Sequence, residues 1–472
     1  MNIVQDIRFI VPEIILLSSA LLVLMLGLFV RRKELLGGLS LAGIVAAAIS
    51  LASSYSIGRT LMFGMLVNDT FSLFFKYLCL LAVGLVILIS IGYRRLAAED
   101  KPEYYFLLLV MAIAMMLAVS THNLLMIYIG IEMISLISYI LVAYEKDSLF
   151  SSEGALKYFL FGSLTTAFMV YGISFVYGIF GTLDLSAITG TLHAKQNEFI
   201  VFVPLLLILA GLSFKCALVP FHMWVPDAYQ GAPTPITAFL SVGPKAVGFA
   251  VLMRIFLRDV FISSDHWIGL VTLISIFTMT AGNVIAISQT NIKRLLAYSS
   301  IAQAGYMLIG FVSGGTSGMM AVCVYLLTYV VMNLGAFGCV VLISNSIHSD
   351  DIKDYAGLYK RDPLASLLLT VFLLSLAGIP PLAGFVAKFF VFGAAIEAKQ
   401  TLLAIAGVVN SVIAVYYYLK VIRYMYLHEP QTLGIERTPL GLQAALAVVG
   451  VGVFAIGILP FPFLAWIKTV GF

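Results

Sequence analysis

Six ionisable side chains occur inside stretches of the sequence that are otherwise apolar. They are Glu132, Lys76, Lys157, Lys215, Lys245 and Lys388. A charge at the centre of a membrane helix costs at least ~2.5 kcal/mol, so such residues mark an ion or proton pathway by default. Lysines and carboxylates can both bind and release protons, and proton transfer is therefore the chemistry that these residue types indicate.

Position within the apolar stretches separates these six residues into groups. Glu132, Lys215 and Lys245 are central, and Lys388 follows a helix break. We expect a functional role for these four, because a buried charge is kept only against a cost. One carboxylate cannot neutralise three lysines, so some of the lysines must be neutral, hydrated or able to change charge state.

The other two lysines lie nearer the ends of their apolar stretches. Lys76 is expected to extend its long side chain to the membrane surface. Lys157, four residues into its stretch, is compatible with a structural or a functional role. Glu13, which follows Pro12 at the outer edge of the first stretch, and His122 are expected to be exposed to solvent.

The composition requires a membrane protein with many spans. The chain has 472 residues, of which 61% are hydrophobic and 11% are charged, whereas about a quarter of the residues in a soluble domain are charged. The net charge of +4 is spread over the loops, and no basic block suggests nucleic-acid binding. The four cysteines form neither a CxxC pair nor a plausible metal-binding set.

Fourteen stretches are apolar enough to cross a bilayer, which requires about 20 residues in a helix. We predict spans at residues 9–30, 34–54, 70–92, 104–119, 123–144, 154–180, 199–221, 234–257, 267–288, 294–313, 316–345, 364–397, 401–427 and 439–465. The expected fold is therefore an all-α polytopic membrane protein.

The distribution of Lys and Arg among the loops predicts the orientation. Fifteen lie in loops that follow odd-numbered spans, and five lie in loops that follow even-numbered spans: Arg59, Lys195, Arg254, Arg258 and Lys399. Loops rich in Lys and Arg stay in the cytoplasm. The loops after odd-numbered spans are therefore expected to be cytoplasmic, and both termini are expected to face outward.

Two of the predicted spans contain proline breaks. The seventh is interrupted near Pro220 and the twelfth near Pro380 and Pro381, and each break has a lysine close to it. Broken helices at corresponding positions of two halves indicate a transport site. Because the breaks are five spans apart and five is odd, spans 4–8 and 9–13 are expected to be inverted repeats. The predicted units are residues 1–102, 103–257, 258–430 and 431–472.

Four motifs in these regions resemble a known family. They are "IGIEMISLISYIL" from Ile129, "GLSFKCALVPFHMWVPDAYQGAPTP" from Gly211, "SQTNIKRLLAYSSIAQAGYM" from Ser288 and "LSLAGIPPLAGFVAKF" from Leu374. The chain is similar over essentially its whole length to the antiporter-like subunits of respiratory complex I, the bacterial NADH:quinone oxidoreductase. Fourteen spans with inverted repeats are also that family's pattern.

The resemblance implies a role for each of the buried groups. Glu132 and Lys215 match the family's modulating ion pair, Lys245 matches its central relay lysine, and Lys388 matches the terminal residue of its proton path. His222 matches the histidine of the broken helix, which is expected to line the water path. Lys157 matches a further lysine of the family, on the sixth helix.

The resemblance also implies that this chain moves protons while redox chemistry takes place elsewhere. NADH, FMN, iron–sulfur clusters and quinone are expected on other subunits, and no cofactor or metal is expected on this chain. The expected setting is the bacterial inner membrane. The expected partners are lipids, the adjacent antiporter-like subunit M and small subunits such as K. Two alternatives remain open: a subunit of a multisubunit cation/proton antiporter, or of a membrane-bound hydrogenase.

The orientation can be tested at the loop "RRLAAEDK", between Arg94 and Lys101. We expect a single cysteine introduced there to resist impermeant thiol reagents in right-side-out vesicles and to react in inside-out vesicles, because this loop follows an odd-numbered span. A cysteine beside Lys468, near the C-terminus, should show the opposite pattern. Labelling of the loop from the outside would contradict the orientation.

Overall fold

The computed structural model describes residues 8–53, 59–97, 100–188, 199–257, 265–430 and 439–471. Three of the basic residues that contribute to the predicted orientation, Lys195, Arg258 and Arg437, lie outside the described residues, as does the side chain of Arg59. The predicted unit boundaries at 258 and 431 also fall outside them.

The fold consists of helices and one small hairpin. The helices are α1 (Val11–Phe29), α2 (Glu34–Ser53), α3 (Thr70–Ile91), α4 (Lys101–Val119), α5 (Leu124–Val142), α6 (Leu149–Phe180), α7 (Phe199–Cys216), α8 (Val225–Gly231), α9 (Thr234–Leu252), α10 (Asp265–Ser288), α11 (Ile292–Ser313), α12 (Gly315–Ile347), α13 (Pro363–Ala377), α14 (Ala383–Glu397), α15 (Thr401–Leu427), α16 (Leu440–Ile458) and α17 (Phe461–Lys468). The antiparallel strands β1 (Arg59–Leu61) and β2 (Leu66–Asn68) precede α3. A π-helical turn over Met253–Leu257 extends α9, and two short turns, Ile352–Tyr355 and Leu358–Arg361, follow α12.

The fourteen predicted spans are confirmed. Within the described ranges, twelve helices are long and apolar enough to cross a membrane, and two shorter apolar helices, α7 and α13, each continue after a break into α8 and α14. The sixth span starts earlier than expected, at Leu149 rather than at residue 154, because the Ser148 hydroxyl caps the helix by accepting from the Ser151 amide.

The starts of the fifth and tenth spans, which are α5 and α11, have the same local structure, as repeats should. Asn123 caps α5 and Asn291 caps α11, and each side-chain oxygen accepts from amides two and three residues later. Each asparagine also forms an isolated antiparallel bridge, Asn123 with Asp184 and Asn291 with Asp351. One cap and one bridge therefore recur five spans apart, in agreement with the inverted repeats.

The two helix breaks are also closed in the same way. At the end of α7, the Leu218 amide donates to Ser213 O at 2.8 Å; at the end of α13, the Ile379 amide donates to Leu374 O at 3.1 Å. The residue before each donor, Ala217 or Gly378, has a positive φ of 61° or 89°. This is the Schellman arrangement, which satisfies carbonyls at a helix end. Each break also contains a cis prolyl bond, at Pro220 and at Pro381.

The interior of the protein is formed by the helices at the centre of the two repeats. Every residue of α9 is buried, and the apolar segment of α12 that could span the membrane is also completely buried inside the chain. Helices α6 and α15 instead expose many large apolar side chains, as helices in contact with lipid or with other subunits do. The groups on α9 are therefore shielded on all sides by protein.

Two residues near the start of the chain were predicted wrongly as exposed. Lys76 on α3 and Glu13 on α1 form an ion pair with an N–O distance of 2.7 Å, and their side chains are only 5% and 7% exposed. Lys76 does not extend to the membrane surface, because the carboxylate of the neighbouring helix neutralises it within the protein. This pair links α1 to α3.

A second ion pair lies where α3 and α5 begin and α4 and α9 end. Arg254, which was expected in a loop, is buried, and its guanidinium binds both carboxylate oxygens of Asp69 at 2.9 and 2.8 Å. It also donates to Val119 O at 2.9 Å and contacts His122 Nε2 at 2.6 Å. His122 is therefore half-buried in this cluster rather than freely solvated.

We expect Arg254→Met to destabilise the chain by roughly 3 kcal/mol, the lower end for breaking a buried pair, because a quarter of the Asp69 side chain is exposed. The midpoint of thermal unfolding in detergent would report the loss. Lys360→Met is the control, since Lys360 and its partner Glu429 are exposed and such pairs contribute less than about 1 kcal/mol. Equal effects of the two substitutions would contradict the assignment.

The same pair predicts a pH dependence. Burial alone raises the pKa of Asp69, but the charge and hydrogen bonds of Arg254, with those of Ser72, outweigh it and hold the pKa below its ordinary value. A carboxyl with a lowered pKa in the folded state stabilises the fold above its unfolded pKa, about 4, and loses that contribution as the pH falls through the folded value. The difference in stability between the wild type and Arg254→Met should therefore shrink below about pH 4.

Candidate proton-transfer site

Lys215 lies in the last turn of α7, immediately before the first break. Its side chain is buried, and its Nζ has no hydrogen-bond partner in the structure. The chain passes close to α9 here: a Cβ added at Gly248 would lie 2.7 Å from Cys216 Sγ and 3.4 Å from Lys215 Cβ. Gly248 is three residues after Lys245, one turn along the same helix face. The absence of a side chain at Gly248 therefore lets the elements carrying the two lysines approach each other.

Glu132 lies in the middle of α5, as predicted. It is partly exposed and lines a groove of about 490 Å³ between α5 and α6, together with Tyr128, Ser163 and Thr166. The Thr166 hydroxyl donates to Glu132 Oε2 at 3.1 Å. Glu132 and Lys215 do not form an ion pair in this structure.

Lys245 is held by a single residue of the neighbouring repeat. Its Nζ donates to Ser300 O at 2.7 Å and to Ser300 Oγ at 2.8 Å. Lys245 is on α9, at the end of the first repeat, and Ser300 is on α11, in the second, so this contact crosses the boundary between the repeats. The side chain is 1% exposed, and its central position is confirmed.

Lys388 lies on α14, just after the second break, and points back to it. Its Nζ donates to Ala377 O, at the end of α13, and to Ser411 Oγ, both at 2.7 Å. The ammonium also lies over the ring of Tyr306, 4.8 Å from its centroid. Like Lys245, Lys388 is bound by one carbonyl, one serine hydroxyl and no carboxylate.

His222 and Lys157 have different environments from the buried lysines. His222 lies in the segment between α7 and α8, and its Nδ1 is buried without a hydrogen-bond partner. Lys157, two turns into α6, is 40% exposed at its side chain and pairs with Glu153 at 2.6 Å and with Asp227 at 2.8 Å. His222 therefore lies beside the break, whereas Lys157 is a partly exposed residue that is paired with carboxylates.

The sequence analysis did not identify the acidic partner of Lys157. Asp227, on α8, also accepts from Arg294 Nη1 at 2.6 Å, and the adjacent Lys293 donates to Gln230 O at 2.8 Å and to Ala232 O at 2.7 Å. These contacts fix α8, the short helix after the first break, to α6 and α11. The signal available in the sequence was the joint occurrence of Asp227 and Lys293-Arg294 within two of the four motifs.

Two further observations define the chemistry of the site. Among the residues that the structure describes, no group of three or more His, Cys, Asp or Glu side chains is placed to bind a metal. Cys79, Cys216, Cys323 and Cys339 are buried as free thiols. The groups that are present are proton donors and acceptors, distributed over both repeats.

The two break residues with positive φ provide a matched pair of substitutions. We expect Gly378→Ala to lower stability by about 1–2 kcal/mol, because alanine is strained in this conformation and its Cβ would lie 2.7 Å from Lys388 Cδ. Ala217→Gly, at the equivalent position of the first repeat, should leave stability unchanged or raise it slightly, since it removes that strain. Thermal unfolding of both variants in detergent is the measurement, and similar losses in the two would contradict the expectation.

Comparison with known proteins is consistent with this geometry. Residues 121–414 match the family described as "NADH:quinone oxidoreductase/Mrp antiporter, TM". The chain is 42% identical over 458 residues to NADH-quinone oxidoreductase subunit N 2 of Rhizobium meliloti, with 96% of this chain and 95% of the relative covered. It is 39% identical over 463 residues to subunit N of Desulforamulus reducens, with 97% and 96% covered.

Solved structures show the same fold. A chain of respiratory complex I from Thermus thermophilus matches with a TM-score of 0.83 at 33% identity, covering 98% of this chain and 100% of that one. A chain of the Mrp complex from Dietzia matches with a TM-score of 0.86 at 22% identity, covering 100% and 97%, a similarity of fold alone. The chain therefore belongs to the NADH:quinone oxidoreductase/Mrp antiporter family of membrane proteins, on the branch of NADH-quinone oxidoreductase subunit N.

Proposed function

We propose that this chain carries protons across the membrane within an NADH:quinone oxidoreductase, using Glu132, Lys215, Lys245 and Lys388 as its relay. The observation that carries the proposal is the nature of the lysines' partners. Lys245 and Lys388 are bound only by carbonyls and serine hydroxyls, and Lys215 has no hydrogen-bond partner. A lysine with neutral partners can give up its proton without leaving a buried carboxylate unpaired.

Lys215 and Glu132 are best placed to act as the switch of this relay. Burial disfavours the charged form of a lysine. A carboxylate within about 4–6 Å favours the charged form and changes the pKa in its favour by roughly 1–3. In this structure the two residues are not in contact, and Glu132 is bound by Thr166 at the edge of a groove. Movement of Glu132 towards Lys215 would load that lysine, and movement away would discharge it.

The remaining groups define the two ends of the path. His222, beside the first break, lines the entry of water to Lys215, and Lys157 is a secondary group whose pair with Asp227 places α8. Lys245 links the repeats through Ser300, and Lys388 releases the proton at the second break.

The setting of the chain follows from its relatives and from the loop charges. Subunit N relatives are named for NADH-quinone oxidoreductase, so NADH, FMN, iron–sulfur clusters and quinone are assigned to other subunits, and this chain acts without redox chemistry. Subunit M and small subunits such as K are the proposed neighbours. The proposed orientation in the bacterial inner membrane has both termini outside.

A cation/proton antiporter is the second candidate, since the Mrp complex shares the fold. An antiporter needs a cation site formed by several clustered oxygens. Within the described residues, Glu132 is the carboxylate at the middle of a span, and it has a hydroxyl rather than a second carboxylate as its partner. The arrangement therefore favours proton relay over binding of a metal cation.

Three substitutions test the relay in assembled complex reconstituted into proteoliposomes. Lys245→Met, Glu132→Gln and Lys215→Ala should each reduce NADH-driven proton uptake by about tenfold or more, which corresponds to roughly 1.4 kcal/mol on the limiting step. The Glu132→Gln/Lys215→Ala double variant should be little worse than either single one, because both substitutions disable one switch.

NADH oxidation by an artificial electron acceptor reports on assembly and should be unaffected. Lys360→Met, which removes an exposed lysine whose ion-pair partner is Glu429, should pump normally. Wild-type proton uptake by Lys245→Met would remove that residue from the path. Wild-type uptake by Glu132→Gln would show that the Glu132–Lys215 switch does not operate.

A further inference from the structure

The motif "AYSSIAQAGYM" on α11 contains more buried polar groups than the relay uses. Ser300 binds Lys245, but Ser299, Gln303 and Tyr306 on the same helix are also buried, each 1% exposed or less. A buried polar group in a membrane protein is costly unless it is hydrogen-bonded. The partners of these residues therefore indicate what the motif does.

Gln303 connects three other helices through one amide group. Its Nε2 donates to Leu376 O on α13 at 3.1 Å and to the Tyr418 hydroxyl on α15 at 3.4 Å. Its Oε1 accepts a hydrogen bond from the Tyr325 hydroxyl on α12. Every polar atom of the Gln303 side chain is thus engaged, and the amide has one preferred orientation.

These partners extend towards the two lysines of the second half of the relay. On one side, Tyr418 is hydrogen-bonded to Ser299 Oγ at 2.5 Å, and Ser299 is adjacent to Ser300, which holds Lys245. On the other side, Leu376 is adjacent to Ala377, whose carbonyl holds Lys388. Gln303 is therefore linked to the Lys388 site through Leu376, next to Ala377, and to the Lys245 site through Tyr418 and then Ser299, next to Ser300.

A second layer of hydrogen bonds supports the Lys388 end. The ring of Tyr306 lies under the Lys388 ammonium, and its hydroxyl accepts from Asn283 Nδ2 at 3.0 Å. Asn283 is in turn bonded to Asn410 Oδ1 at 3.2 Å and accepts from the Tyr417 hydroxyl at 3.1 Å. This layer fixes the Lys388 site against α10 and α15.

We propose that Gln303 is a positioning residue that couples the Lys245 site to the Lys388 site. Its two Nε2 hydrogen bonds hold Leu376 O, next to the break, at a fixed position relative to the Tyr418–Ser299 pair. The distance and orientation between the Lys245 site and the Lys388 site are thereby maintained. The amide does not itself bind or release the transferred proton. The inference rests on the proposed relay and names the residue that aligns its last two stations.

A purely structural role predicts something different. Hydrogen bonds between helices in a membrane contribute about 0.6–2 kcal/mol each, and a packing role would depend mainly on side-chain volume. Methionine has nearly the volume of glutamine but lacks its amide. Glutamate keeps the shape of glutamine and an acceptor for the Tyr325 hydroxyl, and its acid form also provides a donor for Leu376 O. Comparing these two substitutions separates hydrogen bonding from packing.

The experiment measures protons taken up per NADH oxidised in proteoliposomes of assembled complex. We expect Gln303→Met to lower this ratio by roughly threefold to tenfold, the range produced by substitutions between two coupled sites, and Gln303→Glu to recover most of it. Asn345→Leu is the matched control: Asn345 is a buried amide that donates to Gly92 O at 2.9 Å, away from the lysines, and its ratio should stay at the wild-type value.

A wild-type ratio for Gln303→Met, or a ratio for Gln303→Glu no better than that of Gln303→Met, would overturn the proposal. If Lys245→Met is impaired while Gln303→Met is normal, only this inference fails; if both pump normally, the relay itself fails.

Should Gln303→Met not assemble, Tyr418→Phe removes only the hydroxyl that Gln303 contacts. It should lower the ratio in the same way, whereas Tyr105→Phe, which removes a buried hydroxyl without a hydrogen-bond partner, should not; a normal ratio for Tyr418→Phe would overturn the proposal.

Discussion

The requirement that backbone polar groups be satisfied inside a membrane determines where this protein can be polar. A helix that stops within the bilayer exposes carbonyls and amides that lipid cannot bind. Both breaks meet this requirement through the same closing hydrogen bonds, and the Val219 amide of the first break donates to Thr278 Oγ1 at 3.0 Å on α10. Lys215 and Lys388 are positioned by these closed breaks, so the proposed relay depends on them.

The two repeats use this common scaffold in different ways. In the first, the lysine precedes the break and has no hydrogen-bond partner; in the second, Lys388 follows the break and is bound by Ala377 O and Ser411 Oγ. The break residues also differ, since Ala217 adopts a positive φ where the second repeat has Gly378. Among the described residues, the lysine of the first repeat is therefore not held by a hydrogen bond, whereas that of the second repeat is held by two.

Local signals in the sequence predicted the number of spans, the breaks and the positions of the proposed relay residues within the spans, because hydropathy and proline act over a few residues. Pairings between distant parts of the chain were not predicted. Lys76 was expected at the surface because its partner, Glu13, is on another helix. Arg254 was placed in a loop because nothing near it in the sequence indicates its partner, Asp69, which lies 185 positions earlier. Asp227 was missed for the same reason: its partners come from α6 and α11. The predicted roles of the relay residues stay predictions until the substitutions are measured.

Carboxylate partners identify several of the buried or half-buried cations as structural. Lys76, Lys157, Arg254 and Arg294 pair directly with carboxylates, and each lies near the end of its helix. Removing the proton from such a lysine would leave its carboxylate uncompensated, so these pairs keep one charge state and hold helices together. Lys245 and Lys388 are hydrogen-bonded only to carbonyls and serine hydroxyls, so loss of a proton from either lysine leaves no carboxylate uncompensated. An amide such as Gln303 suits this centre because it orients neighbouring groups without adding a charge that would fix the lysines in one state.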